Sequence, residues 1–171
     1  MNISIDESGV TFGPFAQTDF FEFEKVLKEI KFGDNVCKAE FIVRTASENA
    51  SIFIVEAKSS LPRDSDNFFA EIRQKMIHTL TVWFAAVCGR HESVKALLPE
   101  KLKQFDALTL PIKLFLVIPT VPDQYLQTLS AKFRKVFISE QKIWAIGYSD
   151  INVLNQSRAI KYGLIARNNE V

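Results

Sequence analysis

Hydrophobic positions along the chain change period several times, and each change predicts an element. Phe20, Phe23, Val26, Leu27 and Ile30 recur at helical spacing. Asp19 with Glu22 three residues on reads as the N-cap of that helix, and Gly33 as its stop. Upstream, Ile3/Ile5 and Val10/Phe12 alternate with polar neighbours around Ser8-Gly9 and Gly13-Pro14, which predicts a small strand or hairpin. Residues 36–45 alternate in part, and 51–58 are more apolar and more β-branched. Two strands are predicted, joined through the polar loop 46–50.

Pro62 and Asp64-Ser65-Asp66 break the chain and offer caps. Phe68, Ile72, Met76, Leu80, Trp83/Phe84 and Val87 then form one apolar stripe, predicting a long helix over about 67–88 that stops at Gly89. Residues 92–104 read as a shorter helix interrupted near Pro99, and 110–118 as a buried strand ended by Pro119 and Pro122. An amphipathic helix is predicted over 123–137, a last strand over 142–148, a final helix over 153–160, and a loose tail at Asn168-Asn169-Glu170. This order implies an α/β protein whose mixed central sheet is covered by helices on both faces.

Composition narrows the picture. The 171 residues suit one domain spanning 1–171, and 47% hydrophobic with 24% charged residues excludes disorder. Twenty-one basic against 20 acidic residues exclude a strongly basic nucleic-acid coat but leave room for a local basic groove, for example from Lys101, Lys103, Lys132, Arg134 and Lys135. Fifteen Phe predict a core of large rings or an apolar surface that meets a partner, such as a second copy of the chain. Cys37 and Cys88 have neither a disulfide framework nor zinc spacing with His78 and His91, and read as buried free thiols. No secretory signal and no apolar run near the roughly 20 residues of a bilayer span is present, so the expectation is a cytoplasmic protein without membrane contact.

The informative chemistry lies in Ile54-Val55-Glu56-Ala57-Lys58. An apolar strand delivers Glu56 and Lys58 on one face, which Ile52 and Ile54 share. If the hairpin loop centres near residue 48, Glu40 lies opposite Glu56 and Lys38 opposite Lys58. Two carboxylates placed together across a sheet repel and call for a counter-charge. A divalent cation with hard oxygen ligands, Mg²⁺ or Mn²⁺, would supply it. Lys58 beside them would orient a water or neutralise phosphoryl charge. The plainer alternative is a solvated strand end with cross-strand ion pairs, worth about 0–1 kcal/mol each.

Glu-x-Lys occurs three times, at 29–31, 56–58 and 140–142, but only the middle copy closes an apolar strand, follows an acidic hairpin partner and precedes a helix. In that context the chain resembles the PD-(D/E)XK nuclease superfamily, with its restriction-endonuclease-like fold, over roughly residues 19–118. A strand–helix extension to 165 would follow. The resemblance implies that Glu56-Ala57-Lys58 is the acid-x-lysine motif and that Glu40 replaces the first acid. It implies that Glu24, or Glu22, is the glutamate of the preceding helix, and that Gln74 is the polar residue of the following one. Glu71 and His78 stand one turn from Gln74. Glu40, Glu56 and Glu24 would then hold Mg²⁺ or Mn²⁺, with Lys58 and Gln74 assisting hydrolysis of a phosphodiester in nucleic acid, DNA ahead of RNA. The alternative is a catalytically inactive, nuclease-like interaction domain in a defence or toxin–antitoxin assembly.

Overall fold

A computed structural model describes residues 1–33 and 35–167, so the tail read as loose lies outside the described residues. β1 (Asn2–Glu7) and β2 (Val10–Ala16) form an antiparallel hairpin apart from the main sheet. Its two-residue loop, Ser8-Gly9, has positive φ at both positions, the geometry that follows the twist of paired strands. The pairing shifts register between Ile3 and Ile5, where β2 inserts Gly13-Pro14. Gly13 has φ +105°, and a Cβ there would lie 2.7 Å from the Ile3 carbonyl oxygen, so no larger residue fits this bulge. The Gly13 amide donates to Leu164 O at 2.9 Å, tying the hairpin to the C-terminal segment.

The main sheet has five strands in the order β3 (Phe20–Phe21), β4 (Phe41–Arg44), β5 (Ile52–Ala57), β6 (Ile112–Val117), β7 (Ile151–Leu154). β3, β4 and β5 pair antiparallel, whereas β5, β6 and β7 pair parallel. The helices are α1 (Phe23–Glu29), α2 (Ser65–Val87), α3 (Glu92–Leu97), α4 (Asp123–Lys135), α5 (Ile138–Ile143) and α6 (Gln156–Lys161). α2 carries the crossover from β5 to β6, and α4 that from β6 to β7.

Strand alternation sends successive residues to opposite faces. Ile42, Ile52, Ile54, Leu114 and Leu116 join Leu27, Ile72, Met76, Leu129 and Phe133 in the core under α1, α2 and α4. Phe41, Val43, Phe53, Val55 and Phe115 join Phe12 and Phe15 of the hairpin and Ala159 of α6. Helices therefore cover one face, while the hairpin and one short helix cover the other. β5 is central and buried on both sides along its whole length. Of the 15 Phe, only Phe84 and Phe105 are exposed, so the rings mainly fill the two cores.

Several expectations need correction. Asp19 does not cap α1, whose N-cap is Glu22. It is buried and accepts from Arg44 at 3.3 Å and Lys101 at 2.8 Å. Phe20 and Phe21 form the edge strand instead, one ring in each core, because two adjacent buried rings suit a sheet with both faces covered. The strand expected over 36–45 shortens to β4. Residues 142–148 form no strand: Ile143 ends α5 and is exposed, Ala145 has φ +52°, and Trp144 packs edge-on against Phe84. The last strand is β7, and Asn155 caps the final helix by accepting from the Arg158 amide at 3.0 Å. Cys88 is exposed and Cys37 half-buried, so neither is the buried thiol expected. Among the described residues no helix is long and apolar enough to cross a membrane.

Candidate active site

The β4–β5 register decides whether Glu40 and Glu56 can meet. Phe41 pairs with Val55 and Ile42 with Ile54, so Glu40 lies one step beyond the ladder, at the level of Glu56. Four contacts fix the segment that carries it. The Cys37 amide donates to His78 Nδ1 at 3.2 Å and the Ala39 amide to Thr79 Oγ1 at 2.8 Å, both on α2. Lys38 is buried and donates from Nζ to Gly33 O at 3.0 Å, so it does not pair with Glu56. Glu40 O accepts from the Glu24 amide at 3.3 Å, joining the segment to the start of α1.

Glu56 is fully buried, which excludes the solvated strand end. Its Oε1 forms an ion pair with Lys58 Nζ at 2.6 Å and accepts a hydrogen bond from Lys75 Nζ at 2.7 Å. Its Oε2 is buried with no hydrogen-bond partner among the described residues. Lys75 also approaches Glu24 Oε2 at 3.5 Å, and Glu24 pairs with Lys28 on its own helix. A cavity of about 430 Å³ is lined among others by Glu7, Glu22, Glu24, Glu40, Lys58 and Lys75. Glu56 is not part of this lining, but Lys58 and Lys75, which both pair with it, are.

The electrostatics follow from the crowding. Burial, then the charges of Glu56, Glu24 and Glu7, push the Glu40 carboxyl up from 4.5 to about 8 against the opposing pull of Lys75. Burial alone would lower Lys75, but Glu56, Glu24 and Glu40 outweigh it and hold its ammonium above the ordinary lysine range. For Glu24, burial works upward, yet the contacts with Lys28 and Lys75 bring it below the usual glutamate value.

The structure thus brings together Glu24, Glu40, Glu56 and Lys58 of the expected set. Glu22 lines the cavity and pairs with Lys25 at 3.2 Å. Gln74 is exposed and lines no part of the cavity, and Glu71 is also exposed. His78 serves as a hydrogen-bond acceptor that positions the Glu40 segment. Sequence reasoning missed Lys75 and Glu7. The signal for Lys75 was its helical phase. At about 100° per residue, Gln74 is turned about 200° from Ile72, whereas Lys75 returns to the inward stripe. Glu7 closes a hairpin strand, and its approach to the site is tertiary. The basic residues read as a groove are partly committed elsewhere: Lys101 to Asp19, Lys103 to Glu100, and Arg134 to Ile151 O and Asn152.

No protein-family model matches the chain, and no curated protein or solved structure is significantly similar to it.

The residues present fit a hard divalent cation. Carboxylate oxygens come from Glu24 of α1, Glu56 of β5 and Glu40 in the segment before β4, and Glu56 Oε2 is a buried, unpartnered acceptor. In the lysine-paired arrangement, no three acidic, His or Cys side chains among the described residues already form a ligand cluster. Binding would therefore draw Glu24 and Glu40 toward Glu56.

Proposed function

We propose that this chain is a metal-dependent phosphodiesterase of nucleic acid, built on a restriction-endonuclease-like core. The observation that carries the reading is the fully buried Glu56, at the end of the central strand, with one carboxylate oxygen unpartnered. Glu40 lies at its level on the neighbouring chain segment, Glu24 shares Lys75 with it, and Lys58 lies two residues on. The order of α1, the β4–β5 hairpin, α2 and the parallel β6 supports the same reading.

Glu56, Glu40 and Glu24 would hold Mg²⁺ or Mn²⁺, which when bound offsets phosphodiester charge and eases deprotonation of water. Glu56 is fixed by its place in a doubly covered strand. Glu40 is fixed by the contacts of residues 37–40 with α1 and α2. Lys58 reaches the cavity from the strand end, where its ammonium orients the attacking water and balances charge on the phosphoryl oxygens. Gln74 receives no part, because it faces solvent.

The test is cleavage of plasmid DNA, single-stranded DNA and RNA with Mg²⁺ or Mn²⁺. The wild type should cut at least one substrate, with chelator abolishing the activity. Glu56→Gln and Lys58→Met should each lower the rate at least about a hundredfold. Failure of the wild type on every substrate with both ions would refute the proposal.

A second reading has its own support. Two lysines already neutralise Glu56 Oε1, as expected of a nuclease-like domain that has lost catalysis. Phe84 and Ile143 expose apolar surface near Trp144, as a protein-interaction domain would. Inactivity with every substrate, together with a dimer that Phe84→Glu dissociates, would favour it.

A further inference from the structure

We propose that Lys75 is a built-in counter-cation that stands in for the metal on Glu56 and Glu24, and that a divalent ion binds by displacing it. The inference rests on the reading of this site as a metal centre.

Lys75 does what a bridging cation would do. Its ammonium joins carboxylates from two elements, Glu56 of β5 at 2.7 Å and Glu24 of α1 at 3.5 Å. Lys58 contacts Glu56 but is not paired with Glu24. Without a cation, Glu24, Glu40 and Glu56 would crowd three carboxyl groups around one partly buried spot, which is costly unless charge is balanced. Lysine suits this task better than arginine. It carries a compact charge on a four-carbon stem with no fixed fork, so it can withdraw without breaking a bidentate pair. Space for withdrawal exists, because Lys75 borders the cavity of about 430 Å³. Glu56 Oε2 is buried, unpartnered and not part of the cavity lining, so an incoming ion gains this oxygen once Lys75 has withdrawn.

Lys75 is therefore a positioning residue with opposite effects in the two states. In the metal-free protein it holds α1 against β5. Toward the ion it is a competitor, because both cations seek the same oxygens.

The experiment is isothermal titration of Mn²⁺ into the wild type, Lys75→Met and Lys75→Gln, with melting temperatures measured in chelator and in saturating Mn²⁺. Both variants should bind Mn²⁺ at least about tenfold more tightly than the wild type. They should melt at a lower temperature in chelator and recover in Mn²⁺. Equal or weaker Mn²⁺ binding by the variants, with clear binding by the wild type, would overturn the displacement while leaving the metal centre standing. No binding by any of the three would overturn both. Should the variants fail to fold, the wild type decides. In ¹⁵N spectra of its lysine ammonium groups, the Lys75 signal should be protected from exchange without metal and lose that protection in saturating Mg²⁺. An unchanged signal would overturn the proposal.

Discussion

Replacing Glu40 by glutamine should stabilise the metal-free protein, and by more as the pH rises. Glu40 is held protonated by burial and by Glu56, Glu24 and Glu7, so its carboxyl titrates near 8 in the folded chain rather than at 4.5. Below about pH 4.5 the folded and unfolded chains both keep the proton, and the group makes no difference between them. Between there and pH 8 the unfolded chain has released its proton while the folded chain retains it, so rising pH favours unfolding. Above pH 8 both are ionised and the loss levels off. A displacement to about 8 sets a ceiling of about 5 kcal/mol. Glu40 is partly exposed and its charged neighbours can adjust, so solvent screening reduces this to about 2 kcal/mol. Urea unfolding of the wild type and Glu40→Gln in chelator, from pH 5 to 9, reads the effect. The two should be nearly equal at pH 5, and the variant should lead by about 2 kcal/mol at pH 8. Saturating Mg²⁺ should reverse the order, because the ion favours the ionised carboxylate that glutamine lacks. Parallel stability curves across this range in chelator would refute the reasoning.

Thr79→Val removes the hydroxyl that accepts from the buried Ala39 amide, so it should cost about 1–3 kcal/mol in urea unfolding. It should also weaken Mn²⁺ binding in a titration, because it loosens the segment that presents Glu40. Phe41→Ala empties the centre of a ring cluster with Phe12, Phe15 and Phe20 and should cost about 3–5 kcal/mol by the same measurement. Trp83→Phe should cost about 1–3 kcal/mol, because the fully buried indole donates to Leu102 O at 2.8 Å and the carbonyl would lose that donor.

What was legible in the sequence follows from how local each determinant is. The β4–β5 register was readable, because a loop centred near residue 48 sets which residues pair. The observed Phe41–Val55 pairing places Glu40 at the level of Glu56 as that count expects. The burial of Glu56 was also foreshadowed by the apolar residues before it. Asp19 was misread because a cap signature is only two residues wide, and Arg44 and Lys101 claim the carboxylate through contacts distant in sequence. The run Ile143-Trp144-Ala145-Ile146 was misread because a short apolar stretch alone does not separate a helix end from a strand, and here only Ile146 is buried. Gln74 matched the expected residue type, whereas helical phase turns it to solvent and brings Lys75, which was missed, to the site. The hairpin's contribution of Glu7 depends on where β1 docks, which no local pattern reports.

The central claim is that Glu56, Glu40 and Glu24 form a divalent-metal centre. Anomalous diffraction from crystals grown with Mn²⁺ tests it most directly. The account predicts a manganese peak against Glu56 Oε2, with an oxygen of Glu40 or Glu24 as a further ligand and the Lys75 ammonium withdrawn. Lys75 still seated on Glu56 with no manganese beside it, at saturating Mn²⁺, would contradict the account.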